Sequence, residues 1–142
     1  ISTLPAGTNL LGQINLAPTA SQVGLTAWHY KAAGSQDIVS HTTITGGAAL
    51  VQLYGLSFTA LTTAAAYLKI YNKLTSPAST DAPLMVIYAP AAAAQTSAPV
   101  IMSWENGIKF TTGMGIRIVT GLADSDTTAV SANAFLVQLF FK

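Results

Sequence analysis

A chain of 142 residues has room for one hydrophobic core but not two, and with no cysteine it can hold neither a disulfide framework nor a thiolate metal site. Charged residues are 8% of the chain, against roughly 25% in an ordinary soluble domain, while the hydrophobic class reaches 51%. Net charge is +1 and the cations (Lys31, Lys69, Lys73, Lys109, Arg117 and Lys142) are dispersed, so the sequence offers no basic patch and no nucleic-acid partner is expected.

In chain order, Ile1–Pro18 is punctuated by Pro5, Gly7, Gly12 and Pro18 around short apolar groups, which predicts an extended arm before a domain spanning 19–142. Leu4, Leu10, Leu11, Ile14 and Leu16 are its candidate partner-binding residues. Neither a basic start nor a continuous apolar run marks Ile1–Leu16 as a signal peptide. Weak strand patterns follow at Ala27–Lys31 and Ile38–Ile44. Ala48–Leu61 is apolar on both faces and predicts a long central strand. In Tyr67–Asn72, Leu68 and Ile70 alternate with Tyr67, Lys69 and Tyr71, the pattern of a half-buried strand.

After the break at Ser76–Pro83, strands are predicted at Leu84–Tyr88 and Val100–Trp104, linked by an extended or looped Ala91–Ala94 run between prolines. Glu105-Asn106-Gly107 predicts a tight hairpin turn into Ile108–Phe110. Ile116–Thr120, a polar loop over Gly121–Thr128 and a terminal strand at Ala134–Phe141 complete the chain. Roughly eight short strands with no helix-period segment between them predict an all-β antiparallel sandwich, with a jelly roll favoured over an immunoglobulin-like topology.

Surface chemistry is the next constraint. A monomer of this size exposes on the order of 6,900 Å², and six Lys plus Arg with five Asp plus Glu must cover it. Such sparse charge leaves apolar patches, so a homo-oligomer is expected. A membrane span is not, because Gly, Gln, Ser or Asn interrupts every apolar stretch short of the ~18 residues it would require.

Catalytic constellations are missing. His29 and His41 lack the close spacing of a metal pair, and a strand or interface role fits them better. Asp124 and Asp126 form only a fragment of a calcium loop, with no glycine at its turn and no bidentate glutamate. A loop bonded to its own backbone is the simpler expectation. Glu105 belongs to the predicted turn, no G-x-S-x-G is present, and Gly113-Met114-Gly115 lacks the third glycine of a dinucleotide loop. Trp28, Tyr30, Tyr54, Tyr67, Tyr71, Tyr88 and Trp104 fall in strand-like segments, where packing is their commoner use. The expectation is a non-enzymatic protein with no catalytic residue, no cofactor and no metal.

The segments LYGLSFTALTTAAAYLKIYNKLTSPASTDAP and NGIKFTTGMGIRIVTGLADSDTTAV, with the opening LPAGTNLLGQINL, resemble small virion structural proteins of tailed bacteriophages. That resemblance covers most of the chain and implies a virion location. It implies a capsid decoration (cement) protein, a homotrimer favoured, whose partner is the major capsid protein or another virion protein. A trimeric tail or fibre domain that binds a host receptor is the alternative. No catalytic motif is carried over.

Overall fold

The computed structural model describes residues 24–35, 37–48, 50–92 and 98–142. The arm predicted over residues 1–18, with Leu4, Leu10, Leu11, Ile14 and Leu16, lies outside the described residues. Among the described residues, period-two patterning becomes eight strands: β1 (Thr26–Lys31), β2 (Ile38–Val39), β3 (Val51–Ala60), β4 (Ala66–Asn72), β5 (Met85–Ala89), β6 (Ala98–Phe110), β7 (Met114–Val119) and β8 (Phe135–Phe141), with one helix, α1 (His41–Thr45), between β2 and β3.

Two antiparallel four-stranded sheets result, one ordered β1-β8-β3-β6 and the other β2-β7-β4-β5. Consecutive strands thus cross repeatedly between sheets, which is the double Greek-key order of a jelly roll. The fold class expected from the sequence is therefore the one observed. Leu53, Leu56 and Phe58 of β3, Phe135, Val137 and Leu139 of β8, Leu68 and Ile70 of β4, and Ile116 and Ile118 of β7 form one buried cluster. Phe58 and Phe135 stack inside it with ring centroids 5.4 Å apart. Each large side chain sealed there contributes about 1.5–3 kcal/mol.

Three local expectations are corrected. The strand predicted over Ile38–Ile44 stops at Val39. Ser40 then caps α1, its Oγ accepting from the Thr43 N–H, and Gly46, with φ 69°, closes the helix as its N–H donates to Thr42. A serine cap and a left-handed glycine outweigh the β preference of two threonines and an isoleucine.

The hairpin predicted at Glu105-Asn106-Gly107 does not reverse the chain. Residues on both sides of it pair with β3 in one direction, Leu53 with Ile108 and Gly55 with Ser103, leaving Trp104–Gly107 to bulge opposite Tyr54. Gly107 takes φ 67° but Asn106 does not enter the left-handed region, whereas a type I′ turn needs both. The bulge settles against Tyr54, whose ring lies 3.2 Å from where a side chain on Gly107 would begin.

β4 was expected to be half-buried, yet Lys69, Tyr71 and the facing Arg117 and Val119 of β7 are also inaccessible. Residues 73–84 and 120–130 cover this side of the sheet. Gly115 admits the cover, because a Cβ there would meet the Pro77 ring at 3.0 Å.

Candidate functional site

Strand parity defines two unlike outer surfaces. On the β1-β8-β3-β6 sheet, registered rows run His29–Gln138–Ser57–Ile101 and Ala27–Phe140–Gly55–Ser103 across the solvent side. Their neighbours Trp28, Tyr30, Val137, Leu139, Leu56 and Phe58 turn inward. No covering loop crosses the rows among the described residues. Between Leu25, Tyr54, Ile101, Met102 and Phe140 lies an open, largely apolar depression of about 420 Å³ with no charged side chain in its lining. Gly55 makes its floor by carrying no side chain. Ile101 is 73% exposed and Leu25 48%, so the face leaves apolar surface of the kind that marks an interaction site.

A second apolar stripe follows the edge strand of the other sheet. Leu84, Val86 and Tyr88 alternate outward along β5 and its approach, and all are exposed. Tyr88 packs on Tyr67 of β4, ring centroids 5.1 Å apart.

Charge collects under and within the loops that cover the β2-β7-β4-β5 sheet. Lys69 and Arg117 are cross-strand partners, both buried, and each holds one covering segment by a backbone carbonyl. Lys69 Nζ donates to the Ala123 oxygen and Arg117 Nη2 donates to the Pro77 oxygen at 2.6 Å. Arg117 Nε and Nη1 and the Tyr71 hydroxyl find no protein partner among the described residues. Burial pushes the Lys69 ammonium below the usual lysine range, Asp126 and Asp124 oppose that shift, and Arg117 adds to it. Burial likewise raises the Tyr71 phenol. Lys73 and Asp81 form an ion pair in the cover, and Asp81 also accepts from the Ala78 N–H at 2.6 Å. The hydrogen bond from Lys73, then that from Ala78, lowers the Asp81 carboxyl.

Residues singled out in the sequence are scattered. His29 stands exposed on β1, while His41 is buried at the start of α1 with its ring bonded to backbone. Asp126 accepts from the Gly121 and Thr128 N–H groups at 3.3 and 3.0 Å, the self-bonded loop expected of it. Among the described residues no group of three or more His, Asp or Glu side chains converges as a metal site. Glu105 is exposed in the β6 bulge. Gly113 is a packing residue, since a Cβ there would come within 2.8 Å of the Lys73 oxygen. Trp28 and Tyr30 stack 5.9 Å apart against the core and offer no exposed platform.

Sequence reading missed a buried carboxylate that ties β1 to β2. Asp37 Oδ1 accepts from the Tyr30 hydroxyl at 2.8 Å and from the Ala33 N–H at 2.6 Å. Strand alternation does not announce it, because Asp37 lies in the connection just before β2, seven residues from Tyr30 and four from Ala33. Burial, then the bond to Asp37, raises the Tyr30 phenol from 10.0 to about 12. The folded state therefore holds this proton more tightly than the unfolded chain. Its stabilising contribution is complete below pH 10 and disappears as pH climbs through 12. Urea unfolding from pH 8 to 12 should show an alkaline loss of about 1–2 kcal/mol, below the roughly 2.7 kcal/mol of two unscreened pKa units because solvent reaches part of the ring. Tyr30→Phe should start less stable by about 1 kcal/mol and lose that part of the slope. An unchanged slope would dissociate Tyr30 from the alkaline transition.

The strand order places the chain among the two-sheet jelly rolls, an architecture used by viral capsid, lectin and cupin domains alike. No protein-family model matches the sequence, and no curated protein does. Among solved structures it is similar to the coat protein of Tobacco streak virus at 12% identity, covering 83% of this chain and 87% of that one with a TM-score of 0.40. A structure of that coat protein's dimer gives 12% identity, 82% and 85% coverage and a TM-score of 0.38. At this level of similarity no functional residue carries over.

Proposed function

We propose that this protein is a non-enzymatic structural subunit of a virion, a capsid decoration (cement) protein of a tailed bacteriophage, that works by packing against copies of itself and bridging capsid subunits. The observation that carries the reading is the uncovered outer face of the β1-β8-β3-β6 sheet, with its uncharged apolar depression, on a chain with so few charges. The resemblance of its sequence to phage virion proteins supplies the setting.

The two apolar surfaces differ in shape and residue content, and that bears on symmetry. A two-fold dimer needs one self-complementary patch, whereas a ring needs two different patches that meet head to tail. The depression beside Ile101 and the Leu84–Val86–Tyr88 stripe are unlike each other and neither is matched to itself, which favours a cyclic oligomer such as a trimer, each patch facing a different part of a neighbour. The receptor-binding alternative has a narrower basis, since Trp28, Tyr30 and Tyr71 are turned away from solvent, leaving exposed Tyr88, packed on Tyr67.

Residues 1–18 are assigned to anchoring on the shell or on a neighbouring subunit, through Leu4, Leu10, Leu11, Ile14 and Leu16. Binding of full-length protein and of a chain lacking residues 1–18 to particles stripped of it tests the reading. Full-length protein should bind the head, and the shortened chain about tenfold or more weakly, as expected when a second point of attachment is lost. Equal binding removes the arm's role. Decoration of tails or host cells in place of heads overturns the proposal.

A further inference from the structure

The uncovered sheet face and the composition of the chain before it bear on each other. β1 starts at Thr26, opposite Phe141 of β8, and Leu25 lines one end of the depression. The residues that precede it number 23 beyond Gly24 and include no charged side chain. Within them Leu10, Gly12, Ile14 and Leu16 alternate with Leu11, Gln13 and Asn15, a period-two apolar row. The depression likewise has no charge in its lining, its floor is Gly55, and Ile101, Met102, Phe140 and Tyr54 line it. A volume of about 420 Å³ takes a few aliphatic side chains but not a folded element.

We propose that this depression is the receptor for the Leu10–Leu16 segment of a neighbouring copy. Burial of Leu and Ile side chains against Ile101 and Phe140 supplies the affinity, and the missing side chain at Gly55 supplies the room. The direction of β1 selects the neighbour over the same chain. Antiparallel to β8, it reaches the Phe141 end of the sheet at Thr26, so a return of the same chain would require residues 17–24 to reverse direction. Reaching a neighbour requires no reversal, and 23 residues can span up to roughly 75 Å. The inference rests on the self-association proposed above and names the surfaces that join.

The absence of cysteine makes the test clean. Full-length Ile14→Cys, labelled with nitrogen-15, is mixed with unlabelled full-length Ser57→Cys, allowed to exchange, oxidised and resolved on a non-reducing gel with mass analysis. Thr80→Cys, on the covering loop of the opposite sheet, replaces Ser57→Cys in a control mixture. Circular dichroism first establishes that each variant folds. Mixed-label dimers joining Ile14→Cys to Ser57→Cys are expected in about tenfold or greater excess over the control, because a docked segment raises local thiol concentration far above that of free collision. Equal yields in the two mixtures overturn the proposal. So does a doubly substituted Ile14→Cys/Ser57→Cys chain that closes only on itself. Light scattering of the unsubstituted protein separates the two levels. Oligomers without the cross-link sink the assignment of the depression and leave self-association standing, whereas monomers at all concentrations sink both.

Discussion

Replacing His41 by alanine is expected to destabilise the fold by about 3–5 kcal/mol, through an orphaned backbone donor and a cavity together. His41 has no accessible surface. Its Nδ1 accepts from the Met114 N–H at 2.9 Å, which fixes the other nitrogen as the protonated one. Nε2 then donates to the Ala48 oxygen at 2.6 Å, with Thr45 Oγ1 a further 3.1 Å neighbour. One imidazole therefore joins the first residue of α1, the loop after it and the first residue of β7. Alanine would leave the buried Met114 N–H without an acceptor and open a void beside Gly113, whose missing side chain lets the ring approach. Equilibrium urea unfolding at neutral pH measures the loss, and His41→Asn, which keeps an acceptor but less volume, should recover part of it. A cost below about 1 kcal/mol would mean that solvent or a shift of α1 replaces the ring's bonds.

Arg117 tests a different balance, that between charge and volume. The guanidinium anchors the 73–84 cover by a single bond to Pro77, its Nε and Nη1 lack protein acceptors, and across the strand pair lies buried Lys69, another cation. Two like charges out of water are unfavourable for the fold, and apolar replacements of buried ions are often neutral or stabilising. Arg117→Met should therefore stay within about 1 kcal/mol of the parent, while Arg117→Ala should lose about 3 kcal/mol by emptying the space under Pro77. Removal of the guanidinium should also let the Lys69 ammonium move back toward its ordinary range, because Arg117 contributes to its depression. Should methionine cost as much as alanine, the Pro77 bond would be what holds the cover down.

These two side chains show where reading the sequence stops. His41 and Arg117 were visible as residue types, but His41 was placed in a strand and Arg117 in a dispersed set of surface cations. Their true settings depend on partners 40 or more positions away. Leu68 and Ile70 were legible as core, and Lys69 and Tyr71 were not, because alternation shows which residues share a face but says nothing of what later covers it.

The candidate interaction face divides the same way. Sparse charge in the composition already required apolar surface to remain outside, and the outward parity of Ser57, Gln138 and Phe140 follows from period two. Which outer face stays open was decided by the loops 73–84 and 120–130, which close over one sheet and leave the other bare.

By itself the sequence determined an all-β sandwich, because period-two alternation and β-branched residues are local properties that each strand carries alone. It determined the self-bonded Asp126 loop for the same reason, since every partner lies within five residues. Tertiary structure alone decided that Trp104–Gly107 bulges instead of turning, because the ten-residue β3 offered pairing to both flanks and Asn106 stayed out of the left-handed region. It alone decided that two cations are buried and that Ile101 stands open on an uncovered face. Those outcomes belong to contacts between distant residues, and distance along the chain removes them from any local pattern.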